Sequence, residues 1–159
     1  MRLAPDEARR RLGGSRVARL ATVSARGAPH LVPVTFALDG DVIYTAVDAK
    51  PKTTTDLARI RNLLANPLVA VLADRYDDDW SRLWWVRADG EARLAGDRST
   101  ADAALRLLAA RYPQYLDAPP PGPVVAIRVR RWTGWSAAER RGGPSEIGDG
   151  RDDLAADDL

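Results

Sequence analysis

The amino-acid sequence predicts a mainly β fold, an antiparallel barrel with helices at its ends. Two turn signals tie the first three strand-like segments into consecutive hairpins, and the element order β-β-β-α-β-β-α-β lacks the regular βαβ alternation of a parallel sheet. The 159 residues suffice for one compact domain and would cramp two.

Residues Ala4 to Leu12 place acids early (Asp6, Glu7) and bases late (Arg9, Arg10, Arg11), with Gly13-Gly14 behind them, so a short helix with a glycine stop is expected, as a lid or cap. Arg16 to Val23 is a strand, Ala25-Arg26-Gly27 a turn, and Pro29 to Leu38 a second strand with His30, Val32, Val34, Phe36 and Leu38 on one face. Asp39-Gly40 is a two-residue hairpin signal leading into Asp41 to Ala46. Thr53 to Asp56 offers N-cap oxygens to a helix with the stripe Leu57, Ile60, Leu63 and Leu64, which Asn66-Pro67 stops. Leu68 to Ala73 reads as a buried strand, Arg75 to Arg82 as a polar loop, and Leu83 to Leu94 as a long strand. Ser99 is placed to cap a helix with Ala101, Ala104, Leu105, Leu108 and Tyr112 on one face, before the breaker run Pro119 to Pro123. The last strand runs from Val124 to Trp132, with Val125, Ile127 and Val129 inward and Arg128 and Arg130 outward.

With 45% apolar and 29% charged residues, and no apolar run near the roughly 18 residues of a membrane span, the composition is that of a soluble globular protein. The charged start lacks the apolar core of a secretory signal, and the absence of cysteine removes disulfides, thiolate nucleophiles and cysteine-based metal sites; a cytoplasmic address is expected. From Ser145 onward six acids face one base, a net −5, so residues 1–144 of this +2 chain carry +7. The expected division is a folded domain over 1–140 and an acidic, disordered tail over 141–159. A basic body suits an anionic ligand or nucleic acid, or is a solvated arginine surface. No RNA platform or recognition helix is read here, so neither nucleic acid nor membrane is an expected partner.

His30 is the only histidine, and no GxSxG, GxGxxG or P-loop pattern occurs, so the common hydrolase, dinucleotide and NTPase signatures fail. Asp77-Asp78-Asp79 lacks calcium-loop spacing and reads as a solvated loop. Of 24 basic residues only two are lysines, both in Lys50-Pro51-Lys52. With Thr53 and Thr54 they stand before a helix N-terminus, where ammonium groups, hydroxyls and free N–H groups suit a phosphate; the other reading is a loop whose lysines face water. Trp84, Trp85, Trp132 and Trp135 read as core or subunit-interface residues, and Trp80, in a polar loop, as functional.

Three stretches in order, Ala28 to Phe36, Ile43 to Lys52 and Arg61 to Pro67 leading into an apolar strand, resemble the pyridoxamine-phosphate-oxidase-like family of flavin and deazaflavin oxidoreductases across about residues 10–135. Asp74 to Gly90, with Trp80-Ser81-Arg82-Leu83-Trp84-Trp85, is similar to a subgroup of probable F420-dependent enzymes. The resemblance implies a six-stranded antiparallel split β-barrel with peripheral helices, paired as a homodimer with cofactor grooves between the subunits. It implies that Lys50, Lys52 and Thr53 take the cofactor phosphate and that Pro33, Val34 and Thr35 contact the tricyclic ring. Trp80 and Ser81 would line the groove, from either subunit. Coenzyme F420 is the implied cofactor and FMN the alternative, with a hydride passed to an unidentified small organic substrate. A third reading of the same fold is a non-catalytic flavin- or haem-type binding module. Lysine where the classical flavin enzymes often use arginine, and no pyridoxal-phosphate pattern near the end, argue against pyridoxamine phosphate oxidation. No side chain is singled out as catalytic, because a hydride-transfer cofactor carries its own reactive atom.

Overall fold

The computed structural model describes residues 1–47 and 54–137, with side chains from 58 onward in the second stretch. The expectations for Lys50, Lys52 and Thr53, and for the acidic tail, lie outside the described residues. The described elements are α1 (Pro5–Gly14), β1 (Ala18–Val23), β2 (Pro29–Val34), β3 (Ala37–Asp39), β4 (Val42–Ala46), α2 (Thr54–Ala65), β5 (Leu68–Arg75), β6 (Trp84–Leu94), α3 (Arg98–Arg111), α4 (Gln114–Asp117) and β7 (Val124–Ser136). The strands form one sheet in the order β2-β1-β5-β6-β7-β4-β3, and every pair is antiparallel.

The two edge strands are neighbours in the chain. Only Thr35 and Phe36 separate β2 from β3, and that link spans at most about 10 Å. The sheet must therefore curl until its first and last strands nearly meet, which is the mainly β, split-barrel arrangement the sequence led us to expect. The expected strand Pro29 to Leu38 is real in its facing, with Val34 and Phe36 buried, yet it serves two partners: β2 pairs with β1 and β3 with β4. This break makes seven described strands where six were expected.

The inner face holds one main apolar cluster that includes Leu12, Leu20, Phe36, Ile43, Val71, Val86 and Ile127. Ala8 and Leu12 of α1 are fully buried in it, so the first helix is part of the core. A second cluster joins Ala104, Leu108 and Tyr112 of the α3 face to Ala37, Ala46 and Val124. In both hairpin turns glycine takes a left-handed backbone, Gly27 at φ 81° and Gly40 at φ 55°. Asp39 pairs with Val42, so the second turn consists of Gly40-Asp41, one residue later than expected.

On β7 the register with β6 shifts between Asp89 and Gly90, leaving Arg130 as the extra residue of a bulge. The bulge inverts the inward parity of β7. Val125, Ile127 and Val129 face the core before it, and Gly134 and Ser136 are buried after it. The strand thereby continues four residues beyond the expected end at Trp132. No helix among the described residues is long and apolar enough to cross a membrane.

Candidate functional site

The β2–β3 break is held open by two tyrosines. The Tyr112 hydroxyl accepts from Phe36 N at 3.1 Å and shares its one proton between the carbonyls of Arg16 (2.8 Å) and Phe36 (3.1 Å). Thr35 Oγ1 lies 2.8 Å from the Tyr115 hydroxyl, and Thr45 Oγ1 donates to the Thr35 carbonyl at 2.8 Å. Backbone groups that leave the sheet at the break thus find side-chain partners. Among the expected ring contacts, Pro33 is exposed, Thr35 is half-buried, and the Val34 side chain is buried, so only its backbone can reach a ligand.

Strand β2 pairs with β1 along one edge and, among the described residues, has no strand on the other. Pro29 and Pro33 have no N–H to give, which suits odd positions whose amide groups turn toward an open edge. The same parity directs the Leu31 N–H and C=O and the Pro33 C=O to that edge, and Leu31 is exposed. Leu31 was absent from the expected contacts, although the Pro29–Pro33 spacing carried the signal.

Trp80 and Ser81 lie in a 3-10 turn, Trp80–Arg82, between β5 and β6. Asp79 caps it, accepting from Ser81 N at 3.0 Å and Ser81 Oγ at 2.7 Å, and Asp77 accepts from Asp79 N at 3.1 Å and Arg75 Nη2 at 2.9 Å. These donors hold both carboxyls below the usual range: for Asp79 the Ser81 hydroxyl and then its amide, for Asp77 the Asp79 amide first. Two carboxylates of the aspartate run are therefore engaged in building the loop. Trp80 is 72% exposed on the turn they hold. Antiparallel order puts this loop, after β5, at the same end of the sheet as Val34, which pairs with Ala18 at the start of β1. No described hydrogen bond links the Trp80 turn to Pro33, Val34 or Thr35.

Beneath α2 is a polar cluster that the sequence reading missed. Asn62 and Arg59 are buried, and Asn62 Nδ2 donates to Thr22 Oγ1 at 3.1 Å. Leu64, expected on the inner stripe, is exposed instead. The helix is rotated so that Arg59, Asn62 and Leu63 face inward, and buried Thr22 gives the Asn62 amide a partner. His30 faces Thr22 in the β1–β2 register, with Nδ1 buried and no partner among the described residues.

Of the tryptophans, Trp84 and Trp132 pack against the core, whereas Trp85 and Trp135 face each other across β6 and β7, partly exposed. Two of the concavities among the described residues lie on the strand surfaces. One, of about 410 Å3, is lined by Val42, Tyr44, Glu91, Arg93, Ala126, Arg128 and Arg130. The other, of about 390 Å3, is lined by Ala21, Val23, Leu68, Val69, Ala70, Asp89, Gly90 and Arg130. Neither includes an expected site residue.

A family model described as pyridoxamine 5'-phosphate oxidase matches residues 4–136. The chain belongs to that family. No curated protein matches the sequence. Among solved structures, the chain is similar to an FAD-binding protein from Mesorhizobium loti, with 24% identity, coverage of 87% of this chain and 97% of that one, and a TM-score of 0.67. A conserved hypothetical protein from Mycobacterium tuberculosis gives 22%, 94%, 93% and 0.67 for the same measures. A heme storage protein from Vibrio cholerae gives 18%, 86%, 95% and 0.62. At these identities the likenesses establish the shared fold. It extends over nearly the whole of each neighbour.

Proposed function

We propose that this member of the pyridoxamine 5'-phosphate oxidase family is an F420-dependent oxidoreductase acting as a homodimeric reductase on a small organic substrate. The observation that carries the proposal is the crossing between β4 and α2. Strand β4 ends at Ala46 and the 12-residue α2 begins at Thr54, so the chain's only two lysines fall between a strand end and a helix start. A helix start favours an anion through its free N–H groups and dipole, and Lys50, Lys52 and Thr53 would hold the cofactor phosphate there. The open edge of β2 supports the assignment of the ring: backbone groups at Leu31 and Pro33 match the donors and acceptors on the edge of a flavin-type ring, beside Val34 and Thr35.

When bound, the deazaflavin supplies the hydride chemistry. The chain's own residues bind and orient it. Trp80 and Ser81, on their exposed turn, would close the groove of the partner subunit. The outer surface of β1, β2 and β5 supports pairing, because Leu31 and Leu68 are more than 60% exposed: Leu31 stands in one cross-strand row with Ala21 and Ala70, and Leu68 lies two residues from Ala70 along β5. An apolar strip of this kind is poorly kept in water. F420 is preferred to FMN on the likeness of Asp74 to Gly90 to the F420 subgroup and on the +7 body, which would attract an acidic cofactor tail.

The test is a fluorescence titration of the purified protein with F420 and with FMN, alongside light scattering. F420 should bind more tightly, and the protein should be a dimer at micromolar concentration. Losing one shielded, charge-assisted phosphate contact costs about 1.5–3 kcal/mol, about 10- to 150-fold in affinity. The double variant Lys50→Ala, Lys52→Ala should therefore stay folded and lose useful binding. FMN that co-purifies stoichiometrically and resists displacement by F420 sinks the deazaflavin assignment. A folded double variant that binds within a factor of two of the parent places the anion site elsewhere, and a monomer removes the shared groove.

A further inference from the structure

We propose that the groove on β4, β6 and β7 is a docking site for the chain's own acidic segment, residues 145–159. The groove consists of two adjacent cross-strand rows: Val42, Arg128 and Glu91 stand opposite one another in register, and Tyr44, Ala126 and Arg93 form the next row. Arg130, the bulge residue, closes one end and holds Glu91 at 3.0 Å. The lone carboxylate of the groove is thereby engaged, while Arg93 and Arg128 form no ion pair with another described residue. Two guanidinium groups thus stand over a floor of Val42, Tyr44 and Ala126, within about 410 Å3. An extended peptide with carboxylates around small apolar side chains complements that surface in both charge and shape.

The chain carries such a peptide. Residues 152–159 read Asp-Asp-Leu-Ala-Ala-Asp-Asp-Leu, two acidic pairs on either side of an apolar triplet, within a stretch of net charge −5. It follows the same strand that lines the groove. From Ala137 back to Arg128 is nine residues along β7, roughly 30 Å at about 3.3 Å per residue. Residues 138–151 span up to about 46 Å when extended, so Asp152 reaches the groove with slack. Tethering replaces the entropy of a bimolecular encounter with a local concentration of order millimolar, enough for weak exposed ion pairs to act together. A seated tail would keep other polyanions off these arginines. The inference is independent of which cofactor the family site takes.

Because the chain has no cysteine, a single Ala155→Cys substitution gives one attachment point for a nitroxide label on the full chain. Amide resonances of Tyr44, Ala126 and Arg128 should lose at least about half their intensity relative to the reduced label in low salt. The loss should disappear in about 0.5 M salt, where the screening length falls below about 5 Å. It should also disappear in the variant Arg93→Ala, Arg128→Ala, whose remaining amide spectrum reports that the barrel is intact. Unchanged intensities at these three residues in low salt overturn the proposal, as does broadening that survives loss of both arginines. Broadening seen only when a labelled, isotopically plain chain is mixed with an unlabelled, enriched one assigns the tail to another copy and overturns the intrachain form.

Discussion

Replacing Tyr112 by Phe tests whether the β2–β3 break depends on that hydroxyl. The ring fits unchanged: Tyr112 is 6% exposed, its centroid lies 5.7 Å from that of Tyr115, and the Arg16 and Arg111 guanidiniums stand 5.9 and 5.8 Å from it. The substitution removes one oxygen that serves three backbone groups. The Phe36 amide, in a fully buried residue, loses its acceptor, and the Arg16 carbonyl loses its closest side-chain donor. An orphaned buried polar group costs about 1–3 kcal/mol, so two together should cost about 3 kcal/mol, the carbonyl less than the amide. For a chain of this size that corresponds to a fall in Tm of about 6–12 °C. Urea unfolding followed by circular dichroism, at one fixed protein concentration, measures it. A loss below about 0.5 kcal/mol with an unchanged m-value refutes the reasoning, because the break would then be held by packing alone.

Gly90→Ala should be the most damaging glycine substitution on the strands. A Cβ there would stand 2.4 Å from the Arg128 carbonyl oxygen, a backbone atom of the paired strand at the bulge; such overpacking costs about 1–3 kcal/mol or more. Gly14→Ala, where a Cβ would meet nothing within 4 Å, is the control and should leave thermal unfolding nearly unchanged. On the acid side, Asp97 accepts from the Thr100 amide and hydroxyl, which holds its carboxyl below the usual value of 3.8. A carboxyl depressed in the fold stabilises above its unfolded pKa and loses that contribution as pH falls through its folded one. Asp97→Asn should therefore flatten the decline of Tm between about pH 4 and 2, and an unaltered slope would show that the cap charge contributes nothing.

Periodicity reveals which way a side chain points and is blind to the strand that receives its backbone. The alternation Val34, Phe36, Leu38 runs on through the break, so nothing local marks the change of partner at Thr35. The groups that make the break tolerable, Tyr112 and Tyr115, arrive about 80 residues later. The end of β7 fails for a related reason: one extra residue at Arg130 inverts the parity, and a pattern read in strict twos carries no further than Trp132. At α3 the cap is Asp97 and not the expected Ser99, because the Asp97 carboxylate reaches both the amide and the hydroxyl of Thr100. The rotation of α2 was hidden because Asn62 looks like a solvent residue until Thr22, on another element, supplies its partner.

Net charge was legible segment by segment, −5 from Ser145 onward and +7 before it, and the structure shows how unevenly the +7 acts. Much of the strand-borne arginine is neutralised locally: Arg19 by Asp74, Arg87 and Arg131 by Asp89, and Arg130 by Glu91. These exposed pairs add little stability, typically 0–1 kcal/mol each, but they remove the side chains from the set available to a ligand. The +7 of residues 1–144 therefore does not form a uniform field. Among the described residues it leaves Arg93 and Arg128 together in one concavity with their local carboxylate already taken; in sequence, the two lysines stand together before α2. An anion approaching the molecule meets two addresses of different chemistry. One is a pair of planar forks over an apolar floor, suited to carboxylates along an extended peptide. The other, which we proposed on the sequence, is the pair Lys50 and Lys52 ahead of α2, whose compact ammonium groups suit phosphate. That difference is why we assign the tail and the cofactor to separate sites, and why loss of the arginines should leave cofactor phosphate binding intact while loss of the lysines should leave the tail in place.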